Sequence, residues 1–79
     1  MHLATLFFGA IIRAMSIQPS DIRNRAYAAR VSINRLMKRA AVPNSTFWRW
    51  ETGRVDKPHP ITLARIVEAL EAFEAEKAA

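Results

Sequence analysis

Residues 31–53 read VSINRLMKRAAVPNSTFWRWETG. Ser32 precedes an apolar stripe with helical spacing, and Gly53 follows a second one. Serine is a preferred residue at a helix N-cap, and glycine is preferred just after a helix C-terminus. The stretch therefore predicts two short helices, Ile33–Ala40 and residues 43–52, joined by a tight turn.

The second of these helices has two different faces. Phe47 and Trp50 lie three residues apart and are predicted to face inward together with Val42 of the turn. The outer face then carries Asn44, Ser45, Trp48 and Arg49. Ala41 occupies the turn, where a positive φ would cost an alanine about 1 kcal/mol or more.

Helical patterns flank this unit on both sides. Pro19 and the acidic Asp21 predict a helix start, because proline is tolerated in a first turn and an acid there suits the helix dipole. We expect that helix to end near Arg30. The strongest periodicity comes last, in a helix expected to start near Pro60, and comprises Leu63, Ile66, Val67, Leu70 and Phe73. No segment alternates as a strand does, so the sequence predicts an all-α fold, a small helical bundle with a long C-terminal helix.

Composition narrows the class of protein. The chain has 79 residues, which suffices for one small domain, and 51% of them are apolar, which is typical of a globular protein. It contains no cysteine, so disulfide scaffolds and cysteine-based zinc sites are excluded. His2 and His59 lie far apart in sequence, and no nucleophile–base pair or phosphate-binding loop is evident. We therefore expect neither an enzyme nor a metal or cofactor site.

Charge is distributed unevenly along the chain. The whole sequence carries a formal net charge of +5. Residues 22–54 contain eight bases and one acid, a net charge of +7, whereas residues 66–79 contain four acids and one base, a net charge of −3. A basic segment of this kind favours a polyanionic partner, either nucleic acid or an acidic membrane surface.

The first residues, 1–15, are almost wholly apolar. This run is too short to span a bilayer, which needs about 20 apolar residues, and its arginine follows the apolar part, unlike that of a signal peptide. Three interpretations remain: an extra helix that covers a core face or joins a partner, a membrane-surface segment, or a segment foreign to a natural protein that starts at Met15. We accordingly divide the chain into an N-terminal extension, residues 1–15, and a domain, residues 16–79.

The chain resembles the lambda-repressor-like (Cro/CI, or XRE-type) helix-turn-helix family. The resemblance covers roughly residues 22–73 and is most specific in residues 45–53, which read STFWRWETG. Apolar positions that match the family pattern are Val31, Ile33, Leu36, Met37, Val42, Leu63, Ile66, Val67 and Leu70. The resemblance implies a DNA-binding domain whose second motif helix enters the major groove.

Candidate DNA contacts follow from this resemblance and from charge and facing. The resemblance places base contacts at Asn44, Ser45 and Arg49, and the exposed position of Trp48 adds that residue. The resemblance places phosphate contacts at Ser32, Asn34 and Thr46. Their charge and facing make Arg35 and Arg54 further candidates for phosphate contacts. Weaker candidates of the same kind are Arg30 and Lys38.

Some of these residues also have an interpretation without DNA. Arg35 and Lys38 could form an ordinary solvated face. Asn44 could only cap its helix, and Arg49 could pair with Glu51. Trp48 could pack on a neighbouring side chain or, if exposed, contact a thymine methyl group or a sugar. Glu51 itself is interpreted as structural, because phosphates repel a carboxylate. The resemblance implies that this acid pairs with a base of the first helix; Ala26 stands at the equivalent position, so Arg23 or Arg25 would have to reach Glu51.

The resulting hypothesis is a sequence-specific transcriptional regulator of bacterial or phage type, a cytoplasmic, nucleoid-associated repressor that blocks polymerase. One recognition helix reads few base pairs, so we expect a homodimer on half-sites about 34 Å apart. Leu70, Phe73 or the N-terminal apolar run would supply its interface. The alternatives are an antitoxin-like module on the same fold, with its acidic C-terminal segment on a protein partner, and a membrane-surface peptide.

Overall fold

The computed structural model describes residues 16–78 and contains four α-helices in that part of the chain. These helices are α1 (Pro19–Ala28), α2 (Ile33–Ala40), α3 (Asn44–Glu51) and α4 (Pro60–Ala78). No strand occurs between residues 16 and 78, and α4 is the longest element with 19 residues. The predicted all-α bundle with a long C-terminal helix is confirmed.

Two expectations concern membranes and the N-terminal extension. No helix of residues 16–78 is both long enough and apolar enough to cross a bilayer. The interpretations of residues 1–15 lie outside the described residues.

Side chains at the predicted starts cap two of the helices. Ser32 Oγ accepts a hydrogen bond from the backbone N–H of Arg35 at 3.1 Å, which confirms the predicted cap of α2. His59 Nδ1 accepts one from the backbone N–H of Ile61 at 3.1 Å, and Pro60 is the first residue of α4. Both bonds satisfy N–H groups that have no partner within the helix itself.

The three short helices end in the same way. A left-handed residue follows each of them, at Arg30 (φ 59°), Ala41 (φ 58°) and Gly53 (φ 78°). Each left-handed residue donates its N–H to a carbonyl three residues earlier, and the next residue donates to one five residues earlier. This is the Schellman arrangement, which satisfies the last carbonyls of a helix. Because Arg30 is left-handed, α1 ends at Ala28, two residues before the predicted end.

The turn between α2 and α3 carries backbone strain at Ala41. Its φ of 58° and ψ of 42° are left-handed values, which cost a residue with a Cβ roughly 1–2 kcal/mol. We expect Ala41→Gly to raise the free energy of unfolding by about 1 kcal/mol and the melting temperature by roughly 4–8 °C. Urea and thermal unfolding followed by circular dichroism measure both quantities.

A glycine one residue earlier is the matched control for this prediction. Ala40 lies within α2 and is buried, so Ala40→Gly should destabilise by about 1 kcal/mol or more. Equal effects at the two neighbouring positions would contradict the proposed strain at Ala41.

The core forms where α4 packs against α1 and α2, and α3 packs against the same two helices. Between residues 16 and 78 it contains no polar or charged side chain. Every predicted apolar residue of α4 is buried in it, as are the inward residues of α2 and α3; the largest fully buried side chains are Phe47, Ile22, Leu36, Met37, Leu63, Ile66, Leu70 and Val67. The aromatic pair of α3 packs edge to face, with the ring centroids of Phe47 and Trp50 5.9 Å apart.

This core corrects one expectation about the dimer. Leu70 is 0% exposed and Phe73 is 7% exposed within the single chain. Their side chains already pack on the other helices and are not available to a second copy. The proposal that Leu70 or Phe73 supplies a dimer interface is therefore wrong.

Candidate nucleic-acid interface

Two helices and a three-residue turn present the candidate site. Helix α2 ends at Ala40 and α3 begins at Asn44, with Pro43 as its N-cap, so α3 is one residue shorter at each end than predicted. Phe47 (1% exposed) and Trp50 (5%) are buried, as predicted. Their burial turns the opposite face of α3 outward, and the four predicted base-contacting residues on that face are all exposed: Asn44, Ser45, Trp48 and Arg49.

A hydrogen bond joins the first turns of α2 and α3. The Asn44 side-chain amide donates to Asn34 Oδ1. Asn44 does not cap its own helix, since α3 has no side-chain cap. An asparagine amide has two N–H donors and one carbonyl, so Asn44 keeps one N–H and its Oδ1 for an external partner. These are the two groups that bidentate recognition of a base requires.

An open cleft of about 580 Å³ lies at this junction. It is lined by Ser32, Asn34, Arg35, Lys38, Val42 and Asn44. Three of the five predicted phosphate contacts therefore lie together, beside the first base-contacting residue. The Arg35 guanidinium carbon lies 5.2 Å from the centroid of the Phe73 ring, so the arginine side chain packs on this ring. Arg35 nevertheless remains exposed to solvent.

Trp48 and Arg54 form a second group near the end of α3. The indole is 50% exposed, and the Arg54 guanidinium carbon lies 4.9 Å from the ring centroid. Trp48 therefore packs on a neighbouring side chain, yet half of it remains open to solvent. Arg54 is exposed and follows the left-handed Gly53.

Arg49 lies on the side of α3 that faces the start of α4. It lines an open cleft of about 260 Å³ together with Thr46, His59 and Thr62. Thr46 is half-buried in this cleft. This predicted phosphate contact therefore lies in a different cleft from Ser32, Asn34 and Arg35. Arg49 itself is exposed.

Glu51 does not pair with Arg49, because Arg23 of α1 holds it. Arg23 Nε donates to Glu51 Oε2 at 2.5 Å and Nη2 to Oε1 at 2.8 Å. This bidentate hydrogen bonding lowers the pKa of Glu51 and raises that of Arg23. The pair confirms the structural interpretation of Glu51 and decides which arginine reaches it.

Ion pairs divide the arginines and lysines of residues 22–54 into two sets. Arg23 pairs with Glu51 of α3, and two other arginines pair with acids of α4. Arg25 Nη2 lies 2.6 Å from Glu74 Oε1, and Arg39 Nη1 lies 2.7 Å from Glu76 Oε2. The hydrogen bond to Arg25 also lowers the pKa of Glu74. The other five cations of residues 22–54 have no ion pair with a carboxylate of residues 16–78; they are Arg30, Arg35, Lys38, Arg49 and Arg54.

These five are the cations that the sequence named as DNA contacts or as weaker candidates. Glu51, Glu74 and Glu76 pair with other arginines, so none of these three acids holds the five cations named above. A phosphate group would thus meet guanidinium and ammonium groups that have no competing carboxylate.

Sequence reasoning missed the contacts between distant residues. Arg25 and Glu74 are 49 positions apart, and no local spacing indicates such a pair. The bond from Asn44 to Asn34 had a weak signal, since both residues stand near the first positions of consecutive helices in a helix-turn-helix pattern.

Comparisons with protein-family models, curated proteins and solved structures find no match for this chain.

Proposed function

We propose that this protein is a sequence-specific double-stranded DNA-binding regulator that reads the major groove with α3 and acts by occupying its site. The observation that carries the proposal is the two-faced α3. Phe47 and Trp50 anchor one face in the core, while the other presents Asn44, Ser45, Trp48 and Arg49 to solvent.

The chemistry of that face matches base edges. Asparagine forms two hydrogen bonds with adenine, arginine forms two with guanine, and serine bonds to several bases. Asn44 has both groups for the adenine pair, and no carboxylate of residues 16–78 pairs with the Arg49 guanidinium. The B-DNA major groove, about 12 Å wide, admits a helix such as α3.

Phosphate binding is supported by charge. Of the five cations without an ion pair to an acid of residues 16–78, Arg35 and Lys38 lie on α2, Arg49 lies on α3, and Arg30 and Arg54 lie on the flanking segments. Ser32 and Asn34 stand at the first turn of α2. Contacts of this kind position a protein on the duplex without reading sequence, and the counterions that they release make affinity depend on salt.

Recognition of one particular DNA sequence requires the α3 helices of two copies of the chain. A single recognition helix contacts few base pairs, so a two-fold dimer on half-sites about 34 Å apart is the expected arrangement. Since Leu70 and Phe73 are buried within the chain, such a dimer would use other surfaces.

Selection of bound sites from random-sequence DNA at one stated salt concentration tests the proposal. We expect enrichment of a two-fold symmetric site. Each half-site should contain an adenine and a guanine, and the two half-sites should lie one helical turn apart. Uniform recovery of all sequences, or no recovery, would contradict it.

The salt dependence of binding separates Arg35 from the base contacts. Arg35→Ala should weaken binding to all sequences alike and reduce the slope of log K against log salt by about 1. Equilibrium titrations at several salt concentrations, on the selected site and on a scrambled duplex, give both quantities.

Arg65→Ala is the matched control for charge removal. Arg65 lies on the exposed side of α4 beside Glu68, in a groove that none of the predicted DNA contacts lines. Its slope should equal that of the wild type. An unchanged slope in Arg35→Ala would remove Arg35 from the interface.

A further inference from the structure

Trp48 lies near the middle of the outward face of α3. Successive residues of an α-helix are rotated by about 100°, so Trp48 projects between Asn44 and Ser45, with Arg49 beyond Ser45. Hydrogen-bonding side chains thus flank a large aromatic ring on both sides. An indole offers only one hydrogen-bond donor, so most of its surface could contact DNA only through apolar groups.

The core does not account for the position of this ring. Phe47 and Trp50 fill the space beneath α3, whereas half of the Trp48 side chain remains exposed. Among residues 16–78, the ring stacks with Arg54, whose guanidinium carbon lies 4.9 Å from the ring centroid and covers one side of it. The stack restrains the indole and leaves its remaining surface open to a ligand.

The major groove offers few apolar groups to such a surface. Among the four bases, only thymine presents one there, the C5 methyl group, and apolar side chains contact it. A cytosine methylated at C5 carries the same group at the same position of the pyrimidine ring. An indole also loses little conformational entropy when it is bound, because it has only two side-chain torsions.

We propose that Trp48 is a specificity-determining residue that contacts the C5 methyl group of a pyrimidine in the bound site. The proposal rests on the proposed function, since it assigns to one residue of that interface the chemical group it recognises. In this proposal, the apolar ring of Trp48 contacts each half-site between the contacts made by Asn44 and Ser45.

Methyl deletion in the DNA tests the proposal directly. In the duplex selected from random sequence, each thymine is replaced in turn by deoxyuridine, which lacks only the methyl group. One position in each half-site should bind wild-type protein about four-fold more weakly, the loss expected for one buried methyl group. With Trp48→Ala, thymine and deoxyuridine at that position should bind equally well.

A second arm distinguishes thymine from methylated cytosine. With cytosine at the sensitive position, 5-methylcytosine should restore binding to the wild-type protein about four-fold, and Trp48→Ala should not respond. Trp48→Phe, which keeps an apolar ring, should retain part of the methyl effect. Tyr27→Ala removes an aromatic ring that is 85% exposed on α1 and should leave the whole effect intact.

The outcomes separate this proposal from the proposed function. Specific binding without any thymine-to-deoxyuridine effect, or an equal effect in Trp48→Ala, overturns the role of Trp48 and leaves the regulator proposal standing. Loss of binding in both Trp48→Phe and Trp48→Ala without methyl sensitivity also overturns it, since the indole N–H would then be the contact. Absence of sequence preference in the wild-type protein overturns both proposals.

Discussion

Replacing Phe47 with alanine should lower the free energy of unfolding by about 3–5 kcal/mol. The ring is 1% exposed, packs edge to face against Trp50 at 5.9 Å, and lies 5.7 Å from the Arg23 guanidinium carbon. Truncation removes apolar contacts and leaves a cavity between α3 and the rest of the bundle. Since a single core of this size rarely supplies more than about 3–5 kcal/mol, we expect the variant to be largely unfolded.

Urea denaturation followed by circular dichroism measures this loss. Phe47→Leu, which retains an apolar side chain, should lose less, and Tyr27→Ala, at an exposed position, should stay within about 0.5 kcal/mol of the wild type. A Phe47→Ala variant as stable as the wild type would contradict the inward anchoring of α3, on which the whole candidate interface depends.

Replacing Arg49 with alanine should weaken binding to the selected site by about 1–3 kcal/mol, or roughly 5- to 150-fold. Arg49 is exposed and Glu51 is held by Arg23, so no acid of the described chain neutralises it. If Arg49 binds a guanine edge as proposed, its loss leaves that edge without two donors, and preference at that one base pair should relax.

Binding titrations on the selected duplex and on its single-base variants measure both effects. Because Arg49 is exposed and pairs with no carboxylate of residues 16–78, the variant should remain folded, and the unfolding curve checks this. An equal loss of affinity on every duplex would make Arg49 a phosphate contact, whereas wild-type affinity would remove it from the interface. Arg65→Ala controls for the loss of one positive charge elsewhere.

Predictions from the sequence succeeded where local patterns decide the structure. The apolar periodicity of α4 identified its buried face, Ser32 identified the start of α2, and Gly53 identified the end of α3. Each of these features depends on residues within a few positions of each other, so helical spacing and capping chemistry are enough to predict them.

Predictions were wrong or incomplete where distant residues meet. From the sequence we predicted that Leu70 or Phe73 contacts a second copy, but α4 packs on α1 and α2 and both side chains are buried in the core. The sequence left open whether Arg23 or Arg25 reaches Glu51, and the fold assigns Arg25 to Glu74 instead.

The sequence by itself determined the four helices, their inward faces and the polar and aromatic outer face of α3, because these follow from spacing along one chain segment. Only the tertiary structure decided which cations have no ion pair, because an arginine can pair only with an acid that folding brings close to it. It likewise decided that Asn44 bonds to Asn34 and that Trp48 stacks with Arg54. Periodicity reports which face of a helix is buried, whereas a pairing between side chains depends on how whole helices are placed against each other.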